Sequence, residues 1–132
     1  MMRMTRPSIL VVEDFQALRA SVIQWLRVRF PGVHIAGVGS GEEALEHARV
    51  LRPDVVLMDI DLPGISGFQT TDLLRVRAPG TAVVMLTMHD TPSHRQAATN
   101  AGAVGYVTKA ELEDKLGSTL EGLLGPRALG PA

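Results

Sequence analysis

Residues 54–64 read DVVLMDIDLPG, and the folding of this stretch decides the architecture of the whole chain. Four apolar residues, Val55 to Met58, run without alternation into the carboxylate of Asp59. Asp61 follows, and Pro63-Gly64 then supplies a turn signal. A short unbroken apolar run is the pattern of a strand covered on both faces, which is the situation of a parallel strand in an α/β sheet. Such a strand ends in acid either because the chain is leaving the core or because chemistry sits at its end.

Four further runs have the same character: ILVV (9–12), VHIAGV (33–38), AVVML (82–86) and VGYV (104–107). Helical patterns fill the gaps. Leu18, Val22, Trp25 and Leu26 fall at helical spacing within 15–29. Segments 41–51 and 67–77 each follow a serine, Ser40 and Ser66, with Glu43 or Gln69 three residues on, the pattern of a capping box. Segment 92–101 opens with Thr91-Pro92, a cap and a first-turn proline. Segment 111–124 places Leu112, Leu116, Leu120 and Leu123 on one face. Strand followed by helix, five times over, predicts an α/β fold with a doubly wound parallel sheet and strand order 2-1-3-4-5. Ligands in such sheets bind at the carboxyl ends of the strands, here in the crevice between the first and third. Residues 1–125 are expected to form one domain, and the Pro/Gly-rich residues 126–132 a flexible tail or the start of a linker.

The bulk composition narrows the classes. The chain has 132 residues, enough for one domain, and 45% of them are apolar, enough for a sizeable core. A net charge of −1 argues against a nucleic-acid footprint over the whole chain. The lack of cysteine excludes disulfides, thiolate metal sites and cysteine catalysis. Ahead of Glu13 stands an apolar run too short for a signal peptide or a membrane span. A soluble cytoplasmic protein with no membrane partner is the expectation.

The carboxyl ends of the expected strands carry Glu13-Asp14, Asp59, Thr87 and, just beyond the fifth strand, Lys109. Taken singly, each has a plain reading: Asp14 as a helix cap, Thr87 as a β-former, Lys109 as a solvated cation. Together they put acids, a hydroxyl and an ammonium on one edge beside the switch point. Clustered carboxylates repel by about 4 kcal/mol per close pair at an effective dielectric near 20. A hard divalent cation such as Mg²⁺ relieves that repulsion through oxygen ligands. A carboxylate left facing the open side can attack phosphorus to give an aspartyl phosphate. An ammonium and a hydroxyl then balance charge on the equatorial oxygens.

The ordered set "ED" (13–14), "LMDIDLPGISG" (57–67), "VMLT" (84–87) and "GAVGYVTKA" (102–110) resembles the receiver domains of two-component response regulators over about residues 8–124. The resemblance implies a flavodoxin-like (βα)₅ fold. It also implies phosphoryl transfer from a histidine kinase or a phosphotransfer protein onto Asp59 as phosphoacceptor. Glu13, Asp14, Asp59 and the backbone carbonyl of Asp61 would hold Mg²⁺. Thr87 and Lys109 would contact the phosphoryl group, and Thr87 and Tyr106 would form the switch. The phrases "LTMHD" (86–90) and "YVTKA" (106–110) resemble receivers that precede LuxR-type helix-turn-helix output domains, so a missing DNA-binding partner domain and a homodimer are both compatible with the chain.

Several positions depart from the usual pattern. Ala110 follows Lys109 where many receivers have proline, so the geometry of that peptide bond is open, a cis bond there costing about 2.5–4 kcal/mol. Met88 is large and is expected to narrow access to Asp59. Asp61 and His89 are expected to fringe the open side and tune the lifetime of the phosphorylated state, by orienting water or by pairing over the phosphoryl group. Two other classes compete. The DxD of residues 59–61 matches haloacid-dehalogenase-type phosphatases, but it sits on the third strand, with no loop long enough for a cap. A pseudo-receiver that binds protein without taking phosphate would not need the full residue set. The expectation is a signalling domain rather than an enzyme.

Overall fold

The computed structural model describes residues 6–130. The elements follow in strict alternation: β1 (Ser8–Val12), α1 (Gln16–Arg29), β2 (His34–Val38), α2 (Gly41–Leu51), β3 (Val55–Met58), α3 (Gly67–Arg77), β4 (Ala82–Thr87), α4 (Pro92–Ala101), β5 (Gly105–Thr108) and α5 (Gly117–Leu124). All strand pairings are parallel, and the sheet order is β2-β1-β3-β4-β5. The doubly wound α/β expectation holds, with the switch point between β1 and β3.

Period-two alternation sorts the strand side chains onto two cores. Ile9, Val11, Leu57 and Val84 face α1 and α5 beside Leu26, Phe30, Leu116 and Leu120. Leu10, Val12, Met58 and Met85 face the other layer beside Ala44, Ala48, Leu74 and Ala98. β3, at the centre, is buried along its whole length, whereas β2, at the edge, alternates between buried and open positions. The continuous apolar run therefore marks the middle of the sheet, and the interrupted run its margin.

The caps act as their residue types require. Ser40 Oγ accepts from the Glu43 N–H, and Ser66 with Gln69 forms a complete capping box. Thr91 caps α4 ahead of Pro92. Asp14 caps nothing: α1 starts after Phe15, without a side-chain cap.

Two expectations need correction. The segment expected as one helix from 111 to 124 begins as a 3₁₀ turn (Lys109–Glu111) and a π turn (Leu112–Leu116) before α5. The wider π turn shifts the phase, so Leu116, Leu120 and Leu124 are buried while Leu123 is 41% exposed. The expected flexible tail is also partly structured. Pro126–Leu129 forms a 3₁₀ turn whose Ala128 is fully buried, with the Ala128 carbonyl accepting from the Gly32 N–H at 3.2 Å. Residues 1–5 and 131–132 lie outside the described residues. The Lys109–Ala110 bond is trans, and no cis peptide occurs among the described residues.

Arg52 closes α2 with φ +46°, the one non-glycine residue at positive φ among those described. An L side chain there costs about 1–2 kcal/mol.

Candidate functional site

The parallel register brings the carboxyl ends of neighbouring strands level. Val12 pairs with Met58, and Met58 with Met85, so the residues that follow emerge on one edge. The Asp59 N–H donates to the Val12 carbonyl at 3.1 Å, which extends the ladder one step and fixes Asp59 beside Glu13.

Asp59 and Glu13 are buried, at 7% and 5% exposure, while Asp14 is open to solvent. One carboxylate oxygen from each of Glu13, Asp14 and Asp59 falls within 4.8 Å of the others. Lys109 Nζ donates to Glu13 Oε1 at 2.7 Å and to Asp59 Oδ2 at 3.2 Å. Burial disfavours the Lys109 ammonium. The hydrogen bond that the ammonium donates to Glu13 and the charges of Asp59 and Glu13 outweigh that, so its pKa is raised above the ordinary value. The remaining oxygens are held by backbone: Ile60 N–H donates to Asp59 Oδ1 at 2.8 Å, and Phe15 N–H to Glu13 Oε2 at 3.1 Å. Arg19 Nη1 donates to the Glu13 carbonyl at 2.7 Å, tying α1 to the acidic turn.

Three carboxylates and one ammonium leave the cluster with two negative charges. Oxygen donors at this spacing, open to solvent through Asp14, fit a hard divalent cation that keeps several waters. Asp61 is not in the carboxylate cluster. Its side chain, 73% exposed, turns to the rim.

The rim is organised by His89. Its Nε2 donates to Asp61 Oδ2 at 2.5 Å, joining the loop after β3 to the loop after β4. Its N–H donates to Thr87 Oγ1 at 3.3 Å, and its carbonyl accepts from the Tyr106 hydroxyl at 2.8 Å. Thr87 is fully buried. The Arg95 guanidinium lies 4.6 Å above the Tyr106 ring and pairs with Asp90 at 2.8 Å. Burial raises the Tyr106 pKa, Arg95 opposing and Asp90 adding to it, so the phenol stays a donor at neutral pH. Met88, expected to narrow access, is instead 79% exposed and stands in solvent.

The sequence reading named Glu13, Asp14, Asp59, Asp61, Thr87, Met88, His89, Tyr106 and Lys109, and it missed Arg19, Gly67, Asp90, His94 and Arg95. Gly67 opens α3 against the chain leaving Asp59, where an added Cβ would stand 2.0 Å from the Asp59 carbonyl oxygen. Its signal was present in the sequence, a glycine directly after a cap serine. The His94 ring stacks on His89 with centroids 4.3 Å apart and planes within 5°, a pairing between loop and helix that no spacing rule marks.

Comparison with known proteins agrees with this geometry. The family model for the response regulator receiver domain matches residues 9–121. The transcriptional activator protein ExaE of Pseudomonas putida is 39% identical over 102 residues, covering 77% of this chain and 48% of ExaE. Response regulator GacA of Pseudomonas aeruginosa is 35% identical over 125 residues, covering 93% of this chain and 58% of GacA. The chain thus spans about half the length of the curated relatives it matches. Among solved structures, a LuxR-family two-component response regulator from Aurantimonas sp. SI85-9A1 superposes with a TM-score of 0.84 at 30% identity, covering 94% of this chain and 89% of that one. With nearly the whole sheet and its acidic edge inside the match, the chain belongs to the response regulator receiver domain family.

Proposed function

We propose that the chain accepts a phosphoryl group from the phosphohistidine of a histidine kinase or phosphotransfer protein onto Asp59, and that the resulting acyl phosphate changes how an output domain or partner is engaged. The observation that carries this reading is the buried Asp59 carboxylate at the end of the central strand, with Glu13, Asp14 and Lys109 gathered around it.

Glu13, Asp14, Asp59 and the backbone carbonyl of Asp61 are the residues that would hold Mg²⁺, which when bound supplies charge neutralisation for the transferring group. The chain does the rest. An Asp59 carboxylate oxygen attacks phosphorus, an O–P bond forms, and the P–N bond to the donor imidazole breaks, its electron pair staying on that nitrogen while the proton already on the donor's other ring nitrogen lets the imidazole leave neutral. Ile60 N–H holds the other Asp59 oxygen in place. Lys109, already an ammonium between Glu13 and Asp59, is placed to pair with an equatorial oxygen. Thr87 offers a hydroxyl, and its movement toward the phosphoryl group would pull on the His89 main chain that anchors Tyr106. The phosphoryl group biases this two-state element only through its different contacts in the two states. The chain assists its own phosphorylation and hydrolysis and has no turnover substrate. The ExaE name, a transcriptional activator, is consistent with a DNA-binding output lying outside the residues matched here. Homodimerisation is a second form of output in this reading.

The test is the intact mass of the wild type and Asp59→Asn after incubation with Mg²⁺ and phosphoramidate. The wild type should gain one phosphoryl group and the variant none. An unmodified wild type would favour the pseudo-receiver, and a modified variant would move the acceptor elsewhere.

A further inference from the structure

At the opposite end of the sheet from Asp59, the C-termini of α2 and α3 and the turns entering β3 and β4 enclose a cleft of about 490 Å³. Arg49, Arg52 and Arg77 line it, with Asp54 the only acid in its wall among the described residues. This is a positive hollow on a chain whose net charge is −1.

The plain reading is that arginines at helix C-termini offset the helix dipoles. Arg49 and Arg75, in the last turns of α2 and α3, also stand at those dipoles. Arg49 forms a two-pronged pair with Glu46, at 2.7 and 3.2 Å, and Arg75 pairs with Asp72. Arg52 and Arg77 are surplus: neither has a carboxylate partner among the described residues. Arg52, a residue of the cleft wall, occupies the left-handed position that glycine fills without strain, so an arginine stands there at a backbone cost.

The hollow is preformed. Thr81 Oγ1 donates to the Pro53 carbonyl at 2.7 Å, and Ser8 N–H donates to Asp54 Oδ2 at 2.8 Å. The Ala82 N–H donates to the Asp54 carbonyl at 3.0 Å, which locks the two turns together. The space beside Gly80 is open, a Cβ there meeting nothing within 4 Å.

We propose that this cleft binds a small, soluble phosphate-bearing ligand through Arg52 and Arg77. The planar guanidinium fork matches phosphate oxygens two at a time. The volume is that of a small-molecule site. Among the described residues the lining has no aromatic side chain to stack a base, so the phosphates are the part recognised.

The test follows backbone amide NMR shifts of the full 132-residue chain during titration with inorganic pyrophosphate in Mg²⁺-free buffer, where the acidic Asp59 edge repels the probe. Saturable shifts should appear at the amides of Arg52, Ala78, Gly80 and Thr81, with Kd below about 1 mM. Arg52→Gly and Arg77→Gln should each weaken binding about tenfold. Arg52→Gly keeps the fold because glycine is relaxed at this φ, and an unchanged or raised melting temperature verifies that. No saturable shift, shifts at another face, or wild-type affinity retained in both variants would overturn the proposal. A parallel co-sedimentation with phosphatidylglycerol vesicles separates the sources: vesicle binding without pyrophosphate shifts also overturns it.

Discussion

Asp14→Asn should stabilise the protein without Mg²⁺ and lose that advantage when Mg²⁺ is added. Asp14 stands within 4.8 Å of a carboxylate oxygen on both Glu13 and Asp59. At an effective dielectric near 20, each contact would cost about 3–4 kcal/mol. Asp14 is exposed, so a water-like dielectric is the better guide, giving about 1 kcal/mol per neighbour. Attraction to the Lys109 ammonium, which pairs with Glu13 and Asp59, offsets about half of the total. Removing the charge but not the shape should therefore stabilise the metal-free protein by about 1 kcal/mol, a rise of about 3–5 °C in Tm. With Mg²⁺ at about a hundred times its Kd, the wild type should gain about 2.7 kcal/mol, and the variant much less. The assay is a pair of thermal melts at low ionic strength, one in EDTA and one in saturating Mg²⁺. The two stabilities should cross. A variant that melts below the wild type in EDTA would refute the repulsion reasoning.

Lys109→Met should abolish net phosphorylation and destabilise the protein by about 2–3 kcal/mol, because Glu13 and Asp59 lose their counter-charge while buried. The folded Lys109 pKa is raised, so its stabilisation is complete below about pH 10.5 and is lost as pH climbs through the raised value; melts from about pH 9 to 12 should fall more steeply in wild type than in the variant. Gly67→Ala should cost about 2–4 kcal/mol, since its Cβ would need to stand 2.0 Å from the Asp59 carbonyl oxygen, and urea denaturation should show the loss as a lowered midpoint at unchanged slope. Asp61→Asn and His89→Ala each break the rim contact and should change the dephosphorylation rate by no more than about tenfold, the rim being too solvated for full general-base strength. Rates identical to wild type in both variants would reduce the pair to solvated loop residues.

The central part of this fold was legible because burial there leaves one pattern. Val55–Met58 could be nothing but apolar if both faces were to be covered, and the acid following that strand had to emerge at the switch point. The caps of α2, α3 and α4 were legible for a local reason: Ser40, Ser66 and Thr91 each satisfy an amide three residues away. Legibility failed where the outcome depends on long-range packing. The π turn at Leu112–Leu116 lies between β5 and α5 with no local signal that marks it, and with it Leu123 stands off the buried face. Pro126–Leu129 reads as tail by composition, yet the pocket for Ala128 is made by residues far back in the chain. In the site, the types and places of Glu13, Asp59 and Lys109 were readable, but the stack of His94 on His89 and the cover of Arg95 over Tyr106 were not. The position of Met88 failed for another reason. A side chain's neighbours in sequence do not say whether it turns inward, and this one turns to solvent.

The claim on which everything else depends is that Asp59 carries the phosphoryl group. An acyl phosphate is reduced by borohydride, whereas a free carboxylate is not. Protein incubated with phosphoramidate and Mg²⁺ should be treated with borohydride, digested and mapped by mass spectrometry. Homoserine at position 59, dependent on both Mg²⁺ and the phosphodonor, is the predicted result. Reduction at Asp14 or Asp61 instead, or at no aspartate, would contradict it.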